Sequence, residues 1–244
     1  MMPLWYEGPL AAFDTETTGV DVERDRIVSA ALVVQRTPGQ PAEAARWLID
    51  PGVPMPDSAR AVHGLGDEFL QRHGRRPGPV MEELARELAA CCAARIPLVV
   101  MNAPFDLTLL DRELQRHRNA ALSTYFHGPA WCVLDPRVLD KHLDRYRKGR
   151  RTLTDLCALY DVPLTDAHDA AADAAASLDL VRAIGRRYAI RLADFGTSEL
   201  HARQAIWHAA QSRGLQAWFA RNGSPESCDP AWPLRPFPSA SAAA

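Results

Sequence analysis

Leu10-Ala11-Ala12-Phe13-Asp14-Thr15-Glu16-Thr17-Thr18-Gly19 is the stretch from which the rest of the chain can be read. Four apolar residues lead into two acids one residue apart, and a Thr-Thr-Gly turn follows. Side chains alternate faces along a strand, so Asp14 and Glu16 project together from its end. The apolar lead-in predicts a central strand, where unpaired acids are costly. Two like charges there repel. Either one carboxyl holds a proton, or a divalent cation such as Mg²⁺ or Mn²⁺ lets both ionise as hard oxygen ligands. Taken without its surroundings, Asp-x-Glu also fits a solvated strand end.

Strand-like segments recur at residues 27–35 and 45–50, separated by Thr/Gly/Asp-rich and Pro/Gly-rich stretches, as in a meander. The pattern then turns helical over residues 80–94, with Met81, Leu84, Leu88 and Cys92 at three- and four-residue steps. Residues 97–101 read as a short buried strand, 103–116 as a helix, and 132–134 as a further strand. Two or three helices are expected between 136 and 188. Strands first and β-α alternation afterwards predict an α/β layer architecture with a mixed central sheet flanked by helices. No internal repeat is visible.

Two further segments carry chemistry. In Asn102-Ala103-Pro104-Phe105-Asp106, asparagine precedes a proline suited to a first helical turn, and Asp106 lies near the helix start. By itself that acid is explained by the helix dipole. Its position after a buried strand adds a functional reading, because ligands gather outside the carboxyl ends of strands in open α/β sheets. The Asn102 amide can cap the helix, contact a nucleotide, or do both. In His168-Asp169-Ala170-Ala171-Ala172-Asp173, residues 168 and 173 would stand about 140° apart on a regular helix. Both reach one site only if His168 lies in the loop before it, with Thr165 and Asp166 as nearby cap candidates. The competing pair is Asp169 and Asp173, which share a face at i and i+4. The alanines from 170 to 176 would let this helix press close to the sheet. Thr17 and Thr18 offer hydroxyls, and Gly19 a turn whose backbone N–H groups could face a nucleotide. Four carboxylates and one imidazole over three distant stretches suit a pair of divalent cations that clamp a phosphodiester while the histidine deprotonates water. A metal-dependent nuclease is the expectation.

Composition sets loose bounds. The chain has 244 residues, formal net charge −2 and 47% hydrophobic content, so any polyanion partner must be met by local positive charge. Its five cysteines are odd in number and lack C-x-x-C spacing, which argues for a reducing compartment and against a structural zinc or disulfide frame. The start lacks a signal-peptide pattern and no stretch approaches the ~20 apolar residues of a membrane span, so a cytoplasmic protein without a membrane partner is expected.

Together the three segments resemble the DEDD exonuclease superfamily, in its histidine-containing DEDDh branch, with the closest likeness to its polymerase-proofreading members. Residues 13–19 are similar to that family's first motif without a departure, residues 102–106 to the second, and His168-x-x-x-x-Asp173 to the third. Val62-His63-Gly64-Leu65-Gly66-Asp67-Glu68-Phe69 resembles the loop that lies along the terminal nucleotide in these enzymes. The likeness runs from about residue 10 to 188. It implies a ribonuclease H-like fold and stepwise 3′→5′ release of nucleoside monophosphates, from DNA ends by preference, with RNA as the rival substrate. By the same resemblance Asp14 would bridge two metal ions, Mg²⁺ or Mn²⁺. Glu16 and Asp173 would complete one site, Asp106 would support the other, and His168 would be the general base. Thr17, Thr18, Gly19, His63, Asn102 and Phe105 would hold the 3′-terminal nucleotide, although Phe105 reads equally as a core side chain. A DNA polymerase is the implied protein partner. A non-catalytic accessory module is the alternative of a different class, opposed by the complete set of acids and histidine.

Between residues 137 and 151 lie seven basic residues, Arg137, Lys141, Arg145, Arg147, Lys148, Arg150 and Arg151. They could follow a phosphate backbone, or form the wet face of a helix whose apolar stripe is Val138, Leu139, His142, Leu143 and Tyr146. The second reading is preferred. Residues 197–221 read as an appended helix, capped by Thr197 or Ser198, whose Trp207, Trp218 and Phe219 either pack on the main domain, the preferred reading, or form a partner or self-association surface. The division expected is an exonuclease domain over 1–190, a helical extension over 191–222, and a Ser/Pro/Ala-rich tail over 223–244 with too little apolar surface to order itself.

Overall fold

The strand that carries Asp14 and Glu16 lies in the middle of the sheet, as its apolar lead-in requires. The computed structural model describes residues 4–127, 131–165 and 167–238. Among these the strands are β1 (Leu10–Thr17), β2 (Ile27–Gln35), β3 (Glu43–Leu48), β4 (Leu98–Val99) and β5 (Val133–Leu134), in the order β3-β2-β1-β4-β5. β1 runs antiparallel to β2, from Leu10 opposite Gln35 to Thr17 opposite Ile27, and parallel to β4. The helices are α1 (Asp57–His63), α2 (Asp67–His73), α3 (Pro77–Ala93), α4 (Asp106–Arg118), α5 (Pro136–Leu143), α6 (Leu153–Leu159), α7 (Ala170–Arg187), α8 (Ala189–Leu192) and α9 (Thr197–Arg221). This mixed sheet between helical layers is the architecture the element order predicts.

Strand alternation splits the core in two. Ala11 and Phe13 face α3 and α4, packing with Met81, Leu84, Leu88, Leu107 and Leu110. Leu10 and Ala12 face the other layer, packing with Leu139, Ala174, Leu178 and Val181. Each fully buried leucine, methionine, valine or phenylalanine contributes roughly 1.5–3 kcal/mol, the alanines less. The parity continues past the core, so Asp14 and Glu16 emerge on the α7 side and Thr15 on the α4 side. The alanines of α7 do what their size suggests: Ala170, Ala171 and Ala174 are buried against the sheet. Gly185 marks the tightest approach of this helix, since a Cβ there would lie 2.5 Å from the Tyr6 ring.

Where the sheet would otherwise end in an open edge, α9 completes it. The Val133 N–H donates to His201 Nδ1 (3.1 Å), Gln204 Nε2 donates to the Val133 carbonyl (3.0 Å), and the Asp135 N–H donates to Gln204 Oε1 (2.7 Å). A helix thus supplies the ladder bonds of a missing strand and removes an aggregation-prone edge. The helix is N-capped by Gly196 with no side-chain bond, so neither Thr197 nor Ser198 plays the expected role. Its first half packs, with Leu200 buried and Trp207 stacked on His142 at 3.8 Å, whereas Trp218 remains 50% exposed.

The tail corrects an expectation. Over residues 224–238 the chain folds back as a strap: Trp232 is buried, the Arg235 N–H donates to Thr108 Oγ1 (3.0 Å), and Arg112 Nη2 donates to the Pro236 carbonyl (2.7 Å). One tryptophan and a few backbone bonds to α4 suffice to order a segment whose composition alone argues for disorder. Residues 239–244 lie outside the described residues. Among the described residues no helix is long and apolar enough to cross a membrane.

Candidate active site

The three motifs converge at the carboxyl end of β1. Glu16, His168 and Asp173 each offer a ligand atom within 4.8 Å of the others. Asp14 lies next to Glu16 on the same face, close enough to Asp106 and Asp173 for their charges to act on it. Asp106, one residue into the first turn of α4, reaches over from the opposite layer. The Thr15 N–H (3.1 Å) and Thr15 Oγ1 (2.7 Å) both donate to Asp106 Oδ1 and fix that carboxylate to β1. Thr15 is a positioning residue that sequence reading missed. Its sign is the alternation itself, because the residue between two acids on a strand must face the other layer.

His168 lies in the loop before α7, as the helix geometry demands, at a left-handed φ of 73°. Its backbone N–H donates to Asp173 Oδ2 (3.3 Å), and its imidazole is exposed. The N-cap of α7 is Asp169, which accepts from the Ala171 and Ala172 N–H groups and pairs with Arg46 at 2.8 Å. The pairing of Asp169 with Asp173 as joint ligands is therefore set aside: Asp169 caps the helix and Asp173 faces the acids. Thr165 is not the cap, and Asp166 lies outside the described residues.

Asn102 is also left-handed, at φ 61°, and does not cap α4; Phe105 occupies that position, without a side-chain bond. Asn102 Oδ1 instead accepts from Arg137 Nη1 (2.8 Å). Phe105 is half-buried against the α3/α4 layer. In the turn after β1, Thr17 Oγ1 donates to the Gly19 carbonyl (2.6 Å), and the buried Thr18 hydroxyl donates to Asp25 Oδ1 (2.8 Å). At Gly19 a Cβ would lie 2.5 Å from the Asp25 carboxylate, so any other residue would have to displace that side chain from its bond to Thr18. His63 Nε2 donates to the Thr17 carbonyl (3.2 Å) while its Nδ1 accepts from the Leu65 N–H (3.1 Å), tying the α1–α2 turn to the end of β1. Burial lowers the His63 pKa, and the nearby His168 lowers it further.

A second missed residue is Asp135, buried at the start of α5. Its carboxylate accepts from the N–H groups of Asn102 (3.2 Å), Ala103 (3.0 Å) and Arg137 (2.9 Å). Asp-Pro at a helix start is a cap signature that could have been read. The bonds to residues 102 and 103 could not.

Electrostatically the cluster is unbalanced. Burial, then Asp106, Asp173 and Glu16, holds the Asp14 carboxyl well above the usual range. Burial, with Asp173 and Asp106, pushes Glu16 up to about 8. Asp106 is pushed up to about 7 by burial, against the opposing Thr15 bonds, and Asp173 is raised by burial. Among the described residues no ion pair involves any of these four acids. Asp173 Oδ1 is buried without a hydrogen-bond partner. Oxygen donors with unrelieved repulsion and an orphaned lone pair fit hard divalent cations.

The basic stretch divides by partner. α5 ends at Leu143 and Tyr146 is 87% exposed, so the expected apolar stripe stops short. Arg147 Nη2 and Arg151 Nε each donate to the fully buried Asp140 at 2.7 Å, and are structural. Arg137, Arg150 and Arg151 line a cavity of about 460 Å³ beside Asn102, with Thr152 and Leu153.

Comparison with known proteins places the chain in a family. A sequence model of the RNase_T family, described as exonuclease, matches residues 11–181. The chain is 28% identical over 177 residues to the PolC-type DNA polymerase III of Lacticaseibacillus paracasei, covering 72% of this chain and 11% of that one. It is 31% identical over 102 residues to the DNA polymerase III subunit epsilon of Rickettsia prowazekii, covering 41% and 42%. Among solved structures, Escherichia coli exonuclease I bound to a dT13 oligonucleotide superposes with a TM-score of 0.62 at 16% identity, over 77% of this chain and 43% of that one. The chain thus spans less than half the length of each of these proteins.

Proposed function

The chain belongs to the RNase_T exonuclease family, and on that premise we propose that it is a divalent-metal-dependent 3′→5′ exonuclease releasing nucleoside 5′-monophosphates from DNA ends. The observation that carries this is the meeting of Asp14, Glu16, Asp106 and Asp173 with His168, with no Lys or Arg among the described residues paired to them. These four carboxylates would hold two ions, Mg²⁺ or Mn²⁺. When bound, such ions polarise a phosphodiester and lower the pKa of water.

The chain's own groups do the rest. The exposed His168 imidazole, beside Glu16 and Asp173, would take the proton from the attacking water as its oxygen bonds to phosphorus. The bond to the 3′ oxygen of the penultimate nucleotide then breaks, freeing the terminal nucleotide with its 5′-phosphate. Thr17, Gly19, His63, Asn102 and Phe105 would hold that nucleotide; Thr18 would act through the turn it braces. Arg137 and Arg150 offer a path for the adjoining phosphates. Likeness to polymerase III subunits supports DNA as the substrate and a polymerase as a partner. The competing substrate is RNA, since 2′-OH discrimination lies outside the motifs.

The test uses matched end-labelled single-stranded DNA and RNA with wild type, Asp14→Ala and His168→Ala. The reading expects mononucleotide release from DNA at the higher kcat/KM, lost in both variants. A higher value on RNA would reassign the substrate, and no turnover of either polymer would leave the accessory-module alternative.

A further inference from the structure

The strap and α9 lie beyond residues 11–181, the part of the chain that the family model matches, yet they touch the residue that holds the second motif. Trp232 Nε1 lies 3.4 Å from Asp135 Oδ2, as a donor to the oxygen that also accepts the Ala103 N–H. Asp135 Oδ1 takes the N–H groups of Asn102 and Arg137. The backbone N–H of Asp135 is itself held by Gln204 of α9, whose side chain is fully buried. One carboxylate, 1% exposed, thus joins the C-terminal segment to the turn that presents Asn102 and Phe105. In that turn Asn102 sits at φ 61°, a left-handed state that asparagine visits more readily than other non-glycine residues but that the Asp135 bonds to Asn102 and Ala103 select here.

We propose that Trp232, acting through Asp135, is a positioning residue for the Asn102–Ala103 turn, so that the C-terminal strap sets how the site grips its substrate. The Trp232 ring keeps water from Asp135, and its N–H orients the carboxylate toward the two turn amides. With the strap displaced, water competes for that carboxylate, and the turn can relax from its left-handed state. Asp106 is protected from this change because Thr15 anchors its carboxylate to β1. The consequence is specific: substrate grip weakens while the acidic cluster stays in place. The kinetic part rests on the exonuclease reading, whereas the structural part does not.

The experiment follows amide exchange in the full chain for wild type, Trp232→Ala and Trp232→Phe, with Leu32 in the central ladder as the internal reference. In Trp232→Ala the Asn102 and Ala103 amides should exchange about tenfold faster relative to Leu32. The KM for single-stranded DNA should rise about 3- to 10-fold, with kcat and Mn²⁺ affinity changed less than about twofold. Trp232→Phe retains most of the ring and should move both readouts in the same direction by about half as much on a logarithmic scale. If Trp232→Ala does not fold, this variant decides the matter. An acceleration at Asn102 and Ala103 no larger than that at Leu32 would overturn the proposal, as would a kcat loss at unchanged KM. Should the wild type hydrolyse no polynucleotide, the exonuclease reading fails and the amide measurement still decides the positioning claim.

Discussion

Two buried acidic centres of this molecule differ in how their charge is answered. Asp140 is fully buried and accepts from Arg147, Arg151 and the Tyr160 hydroxyl at 2.7–2.9 Å, so the protein neutralises it internally. Among the described residues Asp14, Glu16, Asp106 and Asp173 have no cationic side chain paired with them, and burial holds their pKa values up, reinforced at Asp14 and Glu16 by the neighbouring carboxylates. Burying a carboxylate costs several kcal/mol, which the first centre offsets with its own cations. The second leaves the cost standing in the metal-free protein. That contrast separates an acid kept for architecture from a set kept for chemistry better than burial alone.

The largest expected effects break the comparison outright. Asp14→Ala should lower exonuclease turnover by about 10³-fold or more, the loss of several kcal/mol of transition-state stabilisation, while the metal-free protein melts no lower than wild type. Asp140→Asn should do the reverse, costing about 3–5 kcal/mol of stability by stranding two arginines, with the folded fraction keeping its turnover. Denaturant titration beside an activity assay checks both. Equal destabilisation by the two changes would erase the distinction.

A smaller effect is the pH dependence of the metal-free protein. Glu16 is pushed from an ordinary 4.5 up to about 8, so between these values the native state binds more protons than the unfolded chain. Stability in EDTA should therefore fall as pH rises across that window, and Glu16→Gln should flatten the decline. Because protons compete with cations for the same oxygens, the Tm gain on adding Mn²⁺ should be larger at pH 8 than at pH 5.5. An equal gain at both values would mean that the ions bind elsewhere.

The smallest effect sharpens the division within the basic stretch. Arg150→Gln should lower the salt slope of DNA binding by about one without changing Tm, whereas Arg147→Gln should lower Tm and leave the slope unchanged.

How much of this was legible follows from the range of the forces involved. The parity of Asp14 and Glu16, the apolar lead-in of β1 and the placement of His168 ahead of its helix are local geometry, readable from spacing. So is α9, whose 197–221 span matches the structure. The Thr15–Asp106 bond joins residues 91 apart, and the Trp232–Asp135 bond residues 97 apart; alternation gives the face of Thr15, but no pattern names either partner. The strap escaped notice because one buried tryptophan outweighed the composition around it. The split of the arginines depended on Asp140, whose lack of exposure appears only once Tyr160 and the following turn have folded over it.

The most direct test of the central claim is degradation of a 5′-labelled single-stranded DNA at pH 8 by the wild-type protein, with Mn²⁺ and with EDTA. The account predicts a ladder shortening by single nucleotides from the 3′ end with Mn²⁺, and no degradation with EDTA. Shortening that persists in EDTA, or fragments from internal cuts, would contradict it.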